Sequence, residues 1–221
     1  MINIEHTKVY GWEEAIRGMR NPMNSWEKSD SDWEFVEDPS IINPNDSIKW
    51  VIGENDLSLM KRLANGGAVH AKYRRMISVY VYITAPLYFW KEFYTYKVGT
   101  VANSCSTMHK IHERDLTLAD FSHEHLSAFN KKILLAYIDC LNTDRQRFVD
   151  TKDKDHWWQI IQMLPSSFNQ KRTIMLNYEV LVGMYRDRKN HKLDEWHTLC
   201  DWIESLPYSE FITGKFEVED L

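Results

Sequence analysis

Two hydrophobic periods alternate along the first half of the chain. Residues 2–10 favour a short strand, and residues 12–20 have helical spacing with acidic residues in the first turn. A second helix is predicted from Asp56, as its N-cap, to a Gly-Gly pair that ends it. The run from Ile77 to Ala85 is rich in β-branched and aromatic residues and predicts a strand, after which Pro86 can open a helix.

Helical spacing dominates the second half, where we expect Ser122 to cap the first helix. The apolar residues of that helix repeat every three or four positions: Leu126, Phe129, Ile133, Ala136, Tyr137 and Cys140. Three more helices are predicted at 155–164, 170–189 and 193–206, the last ended by Pro207. Strands early and helices late indicate an α+β fold.

Residues 23–56 interrupt this pattern with Asp, Ser, Asn and Pro. They also carry Trp26, Trp33 and Trp50, side chains that favour burial, so we expect an ordered excursion instead of a linker. We expect the segment after Pro207 to be a loose or interface-bound end.

Composition narrows the class of protein. A chain of 221 residues suits one good-sized domain or two small ones, and a net charge of −5 argues against a nucleic-acid coat. The cysteines, Cys105, Cys140 and Cys200, are odd in number and widely spaced, which favours a reducing cytoplasm over a disulfide framework. We find no signal peptide and no apolar run of about 18 residues, so no membrane span is expected.

Asn177 and Arg188 are the first candidate site residues. Eleven positions separate them, about three helical turns, so on a continuous helix both leave on nearly the same face with Leu181 and Met184 between them. That face is either a core seam with polar ends or one wall of a ligand site. Arg188 suits a phosphate or a developing anion, or else a surface ion pair with Asp187 or Glu195. Asn177 suits a base edge or a backbone cap.

A small polar loop at 98–110 is the second candidate region. Asn103 and Ser106 suit close approach to a nucleotide phosphate, although turns favour the same residue types. The pairs His109/His112 and His123/His125 lie around this loop without a third ordered ligand, so we predict no metal site.

Several of these positions resemble the flavin-dependent thymidylate synthase (ThyX) family, which uses FAD and a folate to methylate dUMP. The family pattern of Leu-Pro, Asn, Arg, His and Glu is matched by Leu164-Pro165, Asn177, Arg188, His191 and Glu195. The runs AIRGMRNPMNS and ISVYVYITAPLYFWKEF resemble its first helix and its strand, Ala-Pro and helix. His70 stands where the family has a flavin-contacting His.

The flavin motif departs from the family. Asn103 and Ser106 match, but Ser104 stands where Glu is expected and Met108 where Arg is expected. The family's Arg-His-Arg triplet falls on residues 96–98, or on 95–97 if the register slips by one, and Lys97 is its only cation. Lysine does not reproduce the bidentate guanidinium fork, so this change weakens the expected pyrophosphate site.

The resemblance implies one ThyX-like domain over residues 1–221, with a mixed part (1–121), a helical part (122–206) and a tail (207–221). It implies Arg188 as the catalytic and nucleotide-binding residue, and a homotetramer with active sites shared between chains. FAD would contact His70, Lys97, Asn103, Asn177 and His191, and the nucleotide would contact Ser104 and Ser106. NADPH and methylenetetrahydrofolate would be co-substrates.

Two further interpretations stay open. One is a relative that attaches a different one-carbon group to a pyrimidine nucleotide. The other is a non-catalytic nucleotide-binding or structural homologue on the same fold that has lost flavin chemistry.

Overall fold

The computed structural model describes residues 2–35 and 48–216. Its strands are β1 (Asn3–Tyr10), β2 (Asp32–Phe35), β3 (Ile48–Val51), β4 (Ser78–Pro86), β5 (Val101–Ser104) and β6 (Asn169–Asn177). Its helices are α1 (Trp12–Arg20), α2 (Glu54–Asn65), α3 (Leu87–Phe93), α4 (Thr107–Lys110), α5 (Ala128–Thr151), α6 (Lys154–Met163), α7 (Tyr178–Arg188), α8 (Asp194–Glu204) and α9 (Glu210–Thr213).

An antiparallel sheet in the order β1-β4-β6-β5 forms the centre, and β2 and β3 form a separate hairpin. Along β4, Val79, Val81 and Ile83 are fully buried towards the helices, whereas Tyr80 and Tyr82 are exposed on the opposite face. The α+β prediction and the predicted strands at 2–10 and 77–85 are therefore confirmed.

The helix predicted over 170–189 is wrong in its first half, which is strand β6. Arg172, Ile174 and Leu176 point into the core, and Thr173 between them is exposed, so the side chains have the two-residue period of a strand. β6 pairs with β4 from Asn177 opposite Ser78 to Asn169 opposite Pro86, and this central pairing outweighs the helical spacing of its apolar residues.

Asp56 does not cap α2 as predicted. It lies inside the helix and is fully buried, while the Asp30 carboxylate accepts hydrogen bonds from the Asn55 and Asp56 amides at 2.9 and 3.1 Å. Asp56 instead accepts a 2.6 Å hydrogen bond from Nε of the buried Arg20. Burial alone would raise the pKa of Asp56, but hydrogen bonds from Ser31, Ser29 and Arg20 lower it.

The same carboxylate orders the segment that follows α1. Its second oxygen accepts from the hydroxyls of Ser29 and Ser31, both at 2.7 Å. The expected burial of tryptophans in this excursion is only partly right, because Trp26 and Trp33 are 41% and 56% exposed. Residues 36–47 of the predicted excursion lie outside the described residues.

In helix α5 the apolar residues at helical spacing do not form the buried face. Ser127, not Ser122, is its cap, accepting from the Asn130 amide at 3.2 Å. Its buried residues are Ile138 and Leu141, which join a second, smaller core with α6 and the segment before α5. Of the apolar positions that repeat at helical spacing, Phe129, Ile133, Ala136 and Cys140 are exposed.

The remaining helices mostly follow the sequence pattern. Helices α1, α3, α6 and α8 match the predictions, and the polar loop at 98–110 contains β5 and the short α4. The expectation of a loose tail is wrong as far as residue 216, because Phe211 and Ile212 of α9 are buried in the main core. Residues 217–221 lie outside the described residues.

Candidate functional site

Arg188 ends α7, and its guanidinium lies against two adjacent aromatic rings. The guanidinium carbon lies 4.7 Å from the ring centre of Trp196 and 5.5 Å from that of Tyr96. Nε donates to the Tyr96 hydroxyl at 3.0 Å, and a terminal nitrogen donates to Glu92 at 3.2 Å. The side chain is 17% exposed, so a cation is fixed in position while one edge still reaches the surface.

Glu92 is the hub of this group, which we call the Arg188 cluster: Glu92, Tyr96, Arg188, His191 and Trp196. Besides Arg188, the same Glu92 oxygen lies 3.0 Å from the Trp196 indole nitrogen and 3.2 Å from His191 Nε2. His191 Nδ1 accepts from the Leu193 amide at 3.2 Å, so Nε2 must carry the hydrogen that faces Glu92. Hydrogen bonds from Arg188 and Trp196 to one carboxylate oxygen, with the His191 ring beside them, hold the cluster together.

Aromatic packing forms the floor of the cluster. Trp196 is fully buried, with its ring centre 4.7 Å from Phe89 and stacked on Phe93 at an interplanar angle of 9°. Burial raises the pKa of Tyr96, although Arg188 opposes the shift, so the Tyr96 hydroxyl stays protonated. The rigid core thus determines where the guanidinium sits.

The predicted partners of Arg188 are wrong. Asp187 pairs with Arg186 at 2.9 Å, and Glu195 is buried on the far side of α8, where it accepts a hydrogen bond from Tyr88. Burial and the neighbouring carboxylate of Glu195 raise the pKa of Tyr88, which therefore stays a donor. The true partner, Glu92, is 96 residues from Arg188 in the sequence, so no local signal pointed to it.

Asn177 lies at the opposite end of α7 from Arg188, about 16 Å away along a helix of this length. Its side-chain oxygen caps the helix by accepting from the Val180 amide at 3.0 Å. Leu181 and Met184, on the face between the two ends, are fully buried. The core-seam interpretation is therefore confirmed for the face between Asn177 and Arg188.

Gly99 belongs to the turn that covers the start of α7. It has a positive φ of 79°. A Cβ on this residue would lie 3.0 Å from Val180 Cγ2 and 3.4 Å from the side-chain nitrogen of Asn177. The turn that replaces the family's Arg-His-Arg triplet therefore packs against the Asn177 end of α7. Lys97 in this turn is exposed, and so is Val98 at 84%.

The small polar loop lies at the edge of the sheet. Asn103 and Ser104 are exposed on β5, opposite Thr173 and Arg172 of β6. Ser106 accepts from the His109 amide at 3.1 Å and caps α4, so the turn-chemistry interpretation is confirmed for this residue.

A cavity of about 630 Å³ opens beside Ser106, and we call it the Ser106 cavity. Its charged residues are Lys110, Arg114, Lys171, Glu113 and Asp120, and its other lining residues include Thr84, Cys105, Thr107, Phe168, Asn169 and Gln170. Each cation has an acidic partner: Lys110 with Glu113, Arg114 with Asp120, and Lys171 with Glu5.

Two polar groups of the Ser106 cavity stand out. The Asn169 side-chain oxygen is buried and has no hydrogen-bond partner among the described residues. Burial alone would raise the pKa of Asp120, but the Arg114 guanidinium and the Thr117 amide and hydroxyl lower it. A ligand here would therefore meet ionised groups and one unused acceptor.

Arg172 was not predicted as a site residue, yet it is a buried cation that faces the helices. Its guanidinium carbon lies 4.3 Å from the Trp90 ring centre, and it donates to the Tyr94 hydroxyl at 2.8 Å and to the Gln170 side chain. Arg172, Ile174 and Leu176 stand at every second position, and this two-residue spacing could have indicated a strand with an inward-facing arginine.

The predicted site residues therefore occupy separate places. Arg188 and His191 lie in the Arg188 cluster, Ser106 in the Ser106 cavity, and Asn177 beside the turn of Lys97. His70 is exposed in another turn, where its amide bonds to the Gly67 carbonyl at 2.9 Å.

Other sites and segments carry less chemistry. The described residues contain no group of three or more His, Cys, Asp or Glu side chains placed to hold a metal ion. Cys105, Cys140 and Cys200 are free thiols, and burial raises the pKa of Cys200 to about 11. Among the helices described, none is both long enough and apolar enough to cross a membrane.

Comparisons with known proteins bear on the fold. No family model matches the sequence, and no curated protein sequence matches it. Among solved structures, the flavin-dependent thymidylate synthase ThyX from Helicobacter pylori, complexed with FAD and dUMP, superposes with a TM-score of 0.64. That match has 15% sequence identity and covers 97% of each chain.

A second solved structure extends the comparison. The UMP/dUMP methylase PolB from Streptomyces cacaoi, bound with 5-Br UMP, superposes with a TM-score of 0.60 and 13% identity over 97% of this chain and 94% of that one. The predicted ThyX-like fold is confirmed.

Proposed function

We propose that this chain binds a pyrimidine nucleotide and transfers a one-carbon unit to its base. The observation that supports the proposal is the fold, which nearly the whole chain shares with ThyX and with PolB. Those two proteins bind dUMP and 5-Br UMP respectively. The fold resemblance thus agrees with the residue resemblance around Arg188.

Arg188 is the nucleotide-binding and catalytic residue in this proposal. A guanidinium has five N–H groups, and two of them are used by Tyr96 and Glu92. The remaining edge suits a phosphate or the oxygen of a pyrimidine ring as it gains negative charge. The cluster around it keeps that cation from reorienting when a ligand binds.

The flavin residues do not fit a flavin within one chain. Asn177 lies beside the turn of Lys97, but its side-chain oxygen already caps α7, and His70, Asn103 and His191 lie in other turns and on β5. FAD binding is therefore proposed to take residues from more than one copy of the chain, in a homotetramer with shared sites. Ser104 and Ser106 would contact the nucleotide, NADPH and methylenetetrahydrofolate would be co-substrates, and the compartment would be the cytoplasm.

A non-catalytic nucleotide-binding protein on the same fold is the second candidate. The turn at 95–98 favours it, because Lys97 and Val98 are exposed and no guanidinium stands there to bind a pyrophosphate. This candidate retains Arg188 and gives up the flavin.

The test begins with the absorption spectrum of the purified protein and mass spectrometry of small molecules released from it. Bound flavin, together with conversion of dUMP or UMP to a product one carbon heavier, supports the enzyme. A protein that takes up no FAD, yet is stabilised against heat by a pyrimidine nucleotide, supports the second candidate. A protein stabilised by neither ligand contradicts both.

Arg188→Ala then tests the residue itself, with Arg186→Ala as its matched control. Arg186 lies on the same helix but its side chain is 74% exposed. We expect Arg188→Ala to weaken nucleotide binding about 10- to 100-fold, the loss of charged hydrogen bonds of about 1.5–3 kcal/mol. Equal affinities in the two variants would remove Arg188 from the site.

A further inference from the structure

Helix α5 carries a continuous apolar face that is exposed to solvent in the part of the chain that the structure describes. We call it the α5 stripe, and it consists of Phe129, Ile133, Ala136 and Cys140. Phe129 is 71% exposed and Ile133 53%, and Ala136 and Cys140 are exposed as well. The buried face of α5, with Ile138 and Leu141, packs against α6 and the segment before α5.

The spacing of the stripe is that of a helix–helix seam. Its residues follow one another by four, three and four positions, which are the alternating a and d positions of a heptad. The first and last residues are 11 positions apart, about 16 Å along the helix. A partner helix laid along this line would cover the exposed Phe129 and Ile133 side chains together.

Size and charge along the stripe favour a second copy of α5 running in the opposite direction. In an antiparallel pair centred between Ile133 and Ala136, Phe129 lies opposite the partner's Cys140, and Ile133 lies opposite the partner's Ala136. Each large side chain then meets a small one, which lets the helices approach closely.

The flanking charges agree with the same register. Lys132 and Asp139 are exposed, seven residues apart on one flank of the stripe, and neither forms an ion pair with any described residue. In the antiparallel pair, Lys132 lies next to the partner's Asp139, and the two-fold axis repeats this contact. A parallel pair would bring no opposite charge next to Lys132, because the partner residue at that position is Tyr137.

We propose that the α5 stripe is an interface between two copies of this chain, with the two α5 helices antiparallel and joined at their edges by Lys132 and the partner's Asp139. The proposal rests on the exposed stripe and its flanking charges, and it stands whether or not the protein is an enzyme.

Sedimentation equilibrium of the full chain and of Ile133→Asp tests the interface. Because Ile133 is half exposed, the variant should keep its circular dichroism spectrum and its melting temperature in the dissociated state. We expect its self-association to weaken by at least about tenfold. A monomeric wild-type protein at high concentration, or an Ile133→Asp variant that associates as tightly as wild type, would overturn the proposal.

Exchanging the charges of the exposed Lys132 and Asp139 tests the relative direction of the two helices. Lys132→Glu and Asp139→Lys should each weaken association roughly two- to thirtyfold, from two surface ion pairs, and the double variant should restore it. Asp201→Lys on α8, which makes the same charge change at an exposed position, is the control and should have no effect. A double variant weaker than both single variants contradicts the antiparallel register.

A disulfide provides a second readout of the register. Phe129→Cys should form an oxidised dimer through the partner's Cys140, and Phe129→Cys combined with Cys140→Ser should not. Oxidised wild type should stay free of a Cys140–Cys140 bond, because about 16 Å of helix separates these positions in the antiparallel pair. Formation of that bond would instead indicate a parallel pair.

Discussion

The Arg188 cluster and the Ser106 cavity both hold cations near the sheet, but they hold them differently. Arg188 is 17% exposed, shares one carboxylate oxygen with the Trp196 indole N–H and lies over the ring of that fully buried tryptophan. Lys110 and Arg114 beside the Ser106 cavity are 67% and 65% exposed and pair with acids near them in the sequence.

The Arg188 guanidinium is therefore fixed in position, whereas the charged side chains at the Ser106 cavity can rearrange. A partly buried cation with several donors around one acceptor has a single geometry, so it can direct charge at one place in a ligand. Exposed pairs cost little to rearrange and are weakened by salt, so the side chains around the Ser106 cavity can turn towards a ligand. The first region should therefore respond strongly to substitution, and the second weakly.

The largest effect is expected for Trp196→Ala, which removes the floor of the Arg188 cluster. Because the ring is fully buried against Phe89 and Phe93, the free energy of unfolding should fall by about 3–5 kcal/mol in urea titrations. Trp158→Ala on the surface of α6, where the side chain is 40% exposed, should cost clearly less. Similar costs would mean that the cluster is not anchored in the core.

Glu92→Gln should have the next largest effect. The amide replaces a charged acceptor of two hydrogen bonds, and because the Glu92 side chain is 37% exposed we expect a loss of only about 1–2 kcal/mol in the same titrations. Glu113→Gln, at the exposed pair with Lys110, should stay within about 0.5 kcal/mol. An equal loss in both variants would erase the contrast between the regions.

The two N-caps predicted as site residues give a smaller difference. Asn177→Ala should destabilise by about 1 kcal/mol because α7 is a core helix, and Ser106→Ala by about 0.5 kcal/mol because α4 is one short surface turn. Thermal unfolding of both variants measures this. A larger cost for Ser106→Ala would show that the Ser106 cavity is part of the cooperative core.

The smallest effect at neutral pH concerns Arg114→Met, which should cost a few tenths of a kcal/mol because this arginine is exposed. The pKa of Asp120 is lowered in the folded state, so its contribution is present above the unfolded pKa and is lost as pH falls through the folded pKa. Removing Arg114 raises that folded pKa, and acid unfolding should begin at higher pH. Arg147 forms a longer ion pair with Asp144, at 3.5 Å, and Arg147→Met should leave the pH at which acid unfolding begins unchanged.

Local patterns along the chain identified most of the elements. The alternation in β4, the Pro86 stop and the spacing in α1 and α8 each depend on residues close together in sequence, and these predictions are confirmed. The failures share one cause, which is competition from distant partners. β6 is a strand because β4 lies beside it, and Asp56 is an ion-pair partner because Arg20 lies beneath it.

The site divides in the same way. The residues alone singled out Arg188 and Ser106, because a cation at a helix end and a small polar loop are recognisable within a few residues, and the family resemblance added His191. The sequence missed Glu92 as the partner of Arg188 and Arg172 as a buried cation, since nearly a hundred residues separate Glu92 from Arg188 and an arginine seldom marks an inward strand position.

The sequence by itself determined the fold class, the positions of most helices and strands, and the resemblance around Arg188, because these rest on local periodicity and spacing. Only the tertiary structure decided which face of α5 is buried, where the 170–189 segment changes from strand to helix, and which side chains surround Arg188. Burial and pairing depend on the shape and charge of surfaces that meet only after the chain has folded.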